Sequence, residues 1–292
     1  MNFLLFLLLT ASALQAENVF DLYSKKALAR IADFDQKLDG VLGVAVIDLK
    51  TGARWSYHGD VVFPQASSIK IPILIEVFRL REEGKLKFNE RVTLQPSDSV
   101  GGSGVIQNSL KQGPVTLTVE EIVREMIASS DNTATNWCIR RLGMAAVNQN
   151  TLRLGFANTK LQRIMLDQAA ASRNEENIST PNEMASIVKL LYEGKAVNPQ
   201  ASKEMLAMMR LVKDGMRKAI PADIDVASKS GELFGVRTET GIIFLKGRPF
   251  ILSVMGTFLD ENYSPIESVT RIVYEHFRKI EAGNIYGNLG VR

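Results

Sequence analysis

The chain has 292 residues, 46% of them hydrophobic, with a formal net charge of +3 and no long Lys/Arg run. That composition supports a large buried core and gives little electrostatic basis for nucleic-acid binding, so no nucleic-acid partner is expected. One cysteine, Cys138, and two histidines far apart, His58 and His276, exclude an internal disulfide. They also argue against a zinc site and a Ser-His-Asp triad, and no metal or cofactor is expected.

Residues 3–14 form an apolar run too short for an ordinary membrane span, followed by small residues at Ala11-Ser12-Ala13 and Ala16. We read 1–16 as a cleaved secretory signal, although no Lys or Arg precedes the run. The mature protein is then expected to be periplasmic or secreted, with no stable membrane span. Val19 to Leu38 carries apolar residues at helical spacing. Residues 43–49 and 54–57 read as a hairpin turned by Lys50-Thr51-Gly52.

Next comes Pro64-Gln65-Ala66-Ser67-Ser68-Ile69-Lys70, opening an apolar helix with an irregular first turn because of Pro72. Ser67 and Lys70 lie one helical turn apart on one face. A serine needs a base to become a nucleophile, and an amine is a base only if burial or another cation lowers its pKa. The spacing alone is weak evidence, since Ser186 and Lys189 repeat it inside an ordinary amphipathic helix.

Thr118 and Glu121 form a capping box for a helix that ends near Ser129, and Ser130-Asp131-Asn132 connects it to another helix ending at Gly143. Residues 154–179 are irregular. Helices open at Thr180-Pro181 and Asn198-Pro199. Strands are expected over 226–231, 241–245 and 250–256, then a last helix from Ser264-Pro265. The fold class is therefore α+β. An antiparallel sheet covered by the N- and C-terminal helices (about 17–65 and 213–292) would carry an inserted all-α lobe (about 66–212), with a site in the cleft.

Three motifs now stand in order: Ser67-Ser68-Ile69-Lys70 at a helix start, Ser130-Asp131-Asn132 between helices, and Lys229-Ser230-Gly231 on a strand. Together they resemble the serine penicillin-recognising enzymes, nearest to class A β-lactamases, over essentially the whole mature chain. Lys50-Thr51-Gly52 and Ser97-Asp98-Ser99 match single motifs out of order and read as turns.

The resemblance implies roles. Ser67 would be acylated, with Lys70 a candidate base. Ser130, aided by Lys229, would pass a proton to the departing nitrogen. Asn132 would steady Lys70 and meet the substrate amide. Lys229, Ser230 and Arg237 would bind the substrate carboxylate, beside Gly231. The backbone N–H groups of Ser67 and Glu232 would form an oxyanion hole. Glu232 is atypical, because the family prefers a small residue there. In the loop from Arg163 to Pro181, Met165 falls at the family's deacylating Glu and Ala169 at its Asn. Asp167 is the nearest substitute base, with Glu175 and Glu176 more distant.

The expected activity is β-lactam hydrolysis through an acyl-enzyme on Ser67, by a monomer. A penicillin-binding DD-peptidase or esterase-like hydrolase acting on cell-wall-like peptides is the alternative, and a non-enzymatic β-lactam sensor a third.

Overall fold

The computed structural model describes residues 18–213, 215–261 and 263–290. The expected secretory signal lies outside them. Helix α1 (Val19–Gln36) is followed by the hairpin strands β1 (Val41–Asp48) and β2 (Arg54–Tyr57). Strand β3 (Phe63–Pro64) and a 3-10 turn over Ala66–Ile69 lead into α2 (Lys70–Glu82). The irregular entrance is thus this 3-10 turn, and Pro72 falls in the first turn of α2, where a missing N–H costs least.

Strand β4 (Arg91–Leu94), α3 (Ile106–Leu110), β5 (Val115–Thr118), α4 (Val119–Ala128), α5 (Asn132–Leu142) and α6 (Met144–Arg153) follow. Thr118 and Glu121 make the expected reciprocal cap on α4. After a short α7 (Gln168–Ser172) and β6 (Ile178–Ser179) come α8 (Pro181–Tyr192) and α9 (Pro199–Met209). The chain closes with β7 (Val226–Leu233), β8 (Val236–Ile243), β9 (Phe250–Thr257) and α10 (Ile266–Ala282).

Five strands form one antiparallel sheet in the order β2-β1-β9-β8-β7, so the first hairpin and the last three strands join as the α+β reading expects. Side chains alternate across the strands. Val44, Val46, Leu252 and Val254 pack under α1 and α10 with Ile31, Val273 and Phe277. Ala45, Ile47, Ile251 and Met255 face the opposite way, into the core shared with the helices between β3 and β7. Covered on both faces, the sheet leaves β7 as the edge that borders the candidate site.

Two strand expectations shift. Strand β8 begins at Val236 rather than 241, which makes Arg237 a strand residue directly opposite Glu232. The small pairs β3–β6 and β4–β5 are not visible as alternation, because strands of two to four residues carry too few positions to show a period. The last helix starts at Ile266 with Pro265 as its N-cap and no side-chain cap.

Candidate active site

Ser67 sits in the 3-10 turn before α2, where two cavities meet. One, of about 410 Å³, is bordered by Ser130, Lys229, Ser230, Gly231 and Arg237. The other, of about 370 Å³, is bordered by Asn132, Met165 and Phe234. Ser67 borders both, as do Glu232 and Arg237. Both volumes fall in the range of small-molecule sites.

The turn is fastened to the sheet edge. Ser68 Oγ donates to the carbonyl of Lys229 at 3.1 Å and lies 2.8 Å from Thr238 Oγ1, which in turn donates to Gln65 O at 2.9 Å. Gly231 is required here. A Cβ at that position would stand 2.7 Å from both Ser67 N and Gln65 O, and 2.6 Å from Thr238 Oγ1. Only a residue without a side chain lets β7 lie this close to the serine's amide.

Lys70 is fully buried and sits among three oxygens. Its Nζ donates to Ser130 O at 2.7 Å, and lies 3.1 Å from both Ser130 Oγ and Asn132 Oδ1. Burial, then the Lys229 cation, hold its pKa well below the ordinary lysine value, against smaller opposing effects of Asp131 and Cys138. Asp131 is buried as the N-cap of α5, accepting from Ala134 N and from Ile106 N at 2.8 Å each. It thereby ties the 100–106 loop to α5 and aims Asn132, whose Nδ2 donates to Gly101 O at 2.9 Å. Lys229 is buried too, and its Nζ donates to Ser230 O at 2.7 Å.

Three non-glycine residues with left-handed backbone border this region: Ala66 (φ 46°), Ser130 (φ 55°) and Leu166 (φ 60°). Each conformation costs on the order of 1 kcal/mol and persists only where packing over-determines it.

Asp167 does not border either cavity, and its Oδ1 accepts from Ala170 N at 2.9 Å as the N-cap of α7. One carboxylate oxygen thus serves the helix end. Met165 does border the cavity, its backbone clamped by Asn136 through Met165 N to Oδ1 (2.7 Å) and Nδ2 to Met165 O (3.1 Å). Glu176 pairs with the buried Arg163 at 2.9 Å and closes the base of the loop, while Glu175 pairs with Arg173 on its outside.

Arg237 is already engaged. Nη1 donates to Leu233 O (2.8 Å) and Val236 O (2.9 Å), Nη2 donates to Glu261 O, and Glu232 Oε1 stands 3.0 Å from Nη2. A two-point grip on a substrate carboxylate through both terminal nitrogens would require releasing those carbonyls. Sequence reasoning missed Ser68, Thr238 and the exposed Phe234, because their placement depends on the β7–β8 register and its hairpin turn. Among the described residues, no group of three or more His, Cys, Asp or Glu could hold a metal ion.

Comparison with known proteins assigns the family. The model of the β-lactamase enzyme family matches residues 24–277. β-Lactamase CARB-3 of Pseudomonas aeruginosa is 28% identical over 224 residues, covering 74% of this chain and 77% of its own. The crystal structure of a β-lactamase from Sphaerobacter thermophilus superposes with a TM-score of 0.79 at 27% identity, covering 88% of this chain and 97% of that one. A mutant of PBP-A, solved as its acyl-enzyme with penicillin G, gives 0.79 at 26% identity, covering 87% and 97%. The chain belongs to the β-lactamase enzyme family.

Proposed function

We propose that the protein is a serine β-lactam hydrolase that works through an acyl-enzyme on Ser67. The observation that carries this reading is Lys70, a buried amine with a lowered pKa, set among Ser130 and Asn132 behind a serine open to two cavities. Ser130 O and Asn132 Oδ1 can only accept, so they take two N–H bonds, whereas the Ser130 hydroxyl can donate or accept. A neutral Lys70 can satisfy this set and still turn a lone pair toward a hydroxyl.

In this reading Lys70 removes the Ser67 proton, and Ser67 Oγ attacks the lactam carbonyl. The N–H groups of Ser67 and Glu232 hold the developing oxyanion. Ser130, with Lys229 beside it, delivers a proton to the leaving nitrogen. Lys229 and Ser230 meet the substrate carboxylate, and water then releases the acyl group. The protein acts as an exported monomer after loss of residues 1–16.

A second reading is favoured by Met165, which borders the cavity where the family has its deacylating Glu, and by the likeness to PBP-A. Thioether sulfur is no base, so release of a β-lactam acyl group would be slow, and the natural substrate would be a cell-wall-like peptide.

Intact-protein mass followed over time after adding penicillin separates the two. A transient adduct with complete drug hydrolysis supports the hydrolase. A persistent adduct, with D-alanine released from a cell-wall peptide, supports the peptidase. Ser67→Ala should lower either activity by at least about a thousandfold; labelling that survives it would refute both. Acylation should fall as pH drops through the lowered Lys70 pKa, because protonation removes the base.

A further inference from the structure

Arg237 lines both cavities at the place where a substrate carboxylate would be recognised, yet three of its terminal N–H bonds already go to the carbonyls of Leu233, Val236 and Glu261. The terminal nitrogen with a donor to spare is Nη2, and the Glu232 carboxylate stands 3.0 Å from it. Glu232 and Arg237 are cross-strand partners on β7 and β8, so the pairing is built into the sheet register. Their exposures differ sharply: the Arg237 side chain is 12% exposed and that of Glu232 is 72% exposed. The guanidinium is therefore held in place, while the carboxylate is free to swing into water. An ion pair with one solvated end is weak and readily displaced.

We propose that Glu232 is a specificity-determining residue that occupies the carboxylate-recognition end of the site as an internal competitor. This inference rests on the acyl-enzyme reading above. An incoming carboxylate exchanges one carboxylate for another at Nη2 and leaves the displaced Glu232 charge close by, so it gains little from Arg237. The surroundings point the same way. The cavity bordered by Lys229 and Ser230 sets Lys218, Lys229 and Arg237 against Glu232, Glu239 and Glu267, so it has no cationic excess with which to draw in an anion. Recognition of the substrate carboxylate then falls to Lys229 and Ser230, and Arg237 adds little to the discrimination between a penicillin and its neutral ester.

The test compares second-order acylation of Ser67 by benzylpenicillin and by its methyl ester. In the native protein the acid should exceed the ester only by what Lys229 and Ser230 supply, about tenfold, the worth of one charge-assisted hydrogen bond. Glu232→Gln keeps the shape and the backbone N–H. It should raise the rate for the acid roughly tenfold, the worth of one charge-assisted hydrogen bond, and leave the ester within about twofold. Adding Arg237→Ala should cancel the gain. An equal effect on both compounds, or no effect, with Ser67 still labelled, overturns the role of Glu232 and leaves the acyl-enzyme reading intact. Calorimetric binding of benzylpenicillin to Ser67→Ala, with and without Glu232→Gln, supplies the other arm. Tighter binding in the double variant, with no acylation in any protein carrying Ser67, overturns the acyl-enzyme reading and keeps Glu232 as the competitor.

Discussion

Lys70 and Met165 show how much one side chain decides here. The amine is buried with three oxygen neighbours, and its pKa is lowered by burial and by Lys229. Met165 is just as firmly placed, through Asn136, but brings no proton chemistry to the cavity. Met165→Glu should therefore speed acyl-enzyme release by at least about tenfold, general-base catalysis being worth 10²–10⁴-fold when geometry allows. Asp167→Ala should leave release unchanged and cost about 1 kcal/mol of stability, the usual value of an N-cap. Stopped-flow release rates and urea melts check both halves. A slower release in Asp167→Ala would return that carboxylate to the mechanism.

At the scale of elements, the site is a joint between the 3-10 turn and the edge strand β7. Ser68 and Thr238 bolt the two together, and Gly231 sets their spacing. Gly231→Val would drive side-chain atoms into the backbone at Gln65 and Ser67, which no rotamer change can relieve. It should reduce acylation at least about a hundredfold, by moving the serine's amide away from the oxyanion position. Circular dichroism and the melting curve should show a folded protein. Acylation at the native rate would mean that the amide of Ser67 has no part in the reaction.

Across the whole molecule, His276 reports on how α10 closes over the sheet. It is buried beneath α1, stacked on Tyr23 at 4.9 Å and edge-on to Trp55 at 5.6 Å, with Ser24 Oγ 3.3 Å from Nε2. Burial first, then the Arg248 cation, push its pKa down to about 4, with Asp48 opposing. The unfolded chain takes up a proton near pH 6.5 that the native state refuses until about pH 4. Stability is therefore full above pH 6.5 and is lost as pH falls through that window, by up to about 3 kcal/mol. Replacing the imidazole, as in His276→Phe, should flatten the slope of the melting temperature between pH 7 and pH 4. Parallel slopes in the two proteins would show that another group controls acid stability.

The sequence alone determined the class of fold and the three motifs, because both depend on local order. Helix caps, turn glycines and apolar period are written within a few residues, and Ser67, Lys70, Ser130 and Lys229 each lie in the local setting their motif requires. It also placed Met165 in the loop where a carboxylate was expected. Tertiary structure alone decided which charges meet. Asp167 turned to its helix, Glu232 turned to Arg237 once β8 began at Val236, and Asp131 went inward to tie the 100–106 loop to α5. A carboxylate's partner is set by strand register and chain crossing over distances of a few ångströms, and residues far apart in sequence carry no local trace of that.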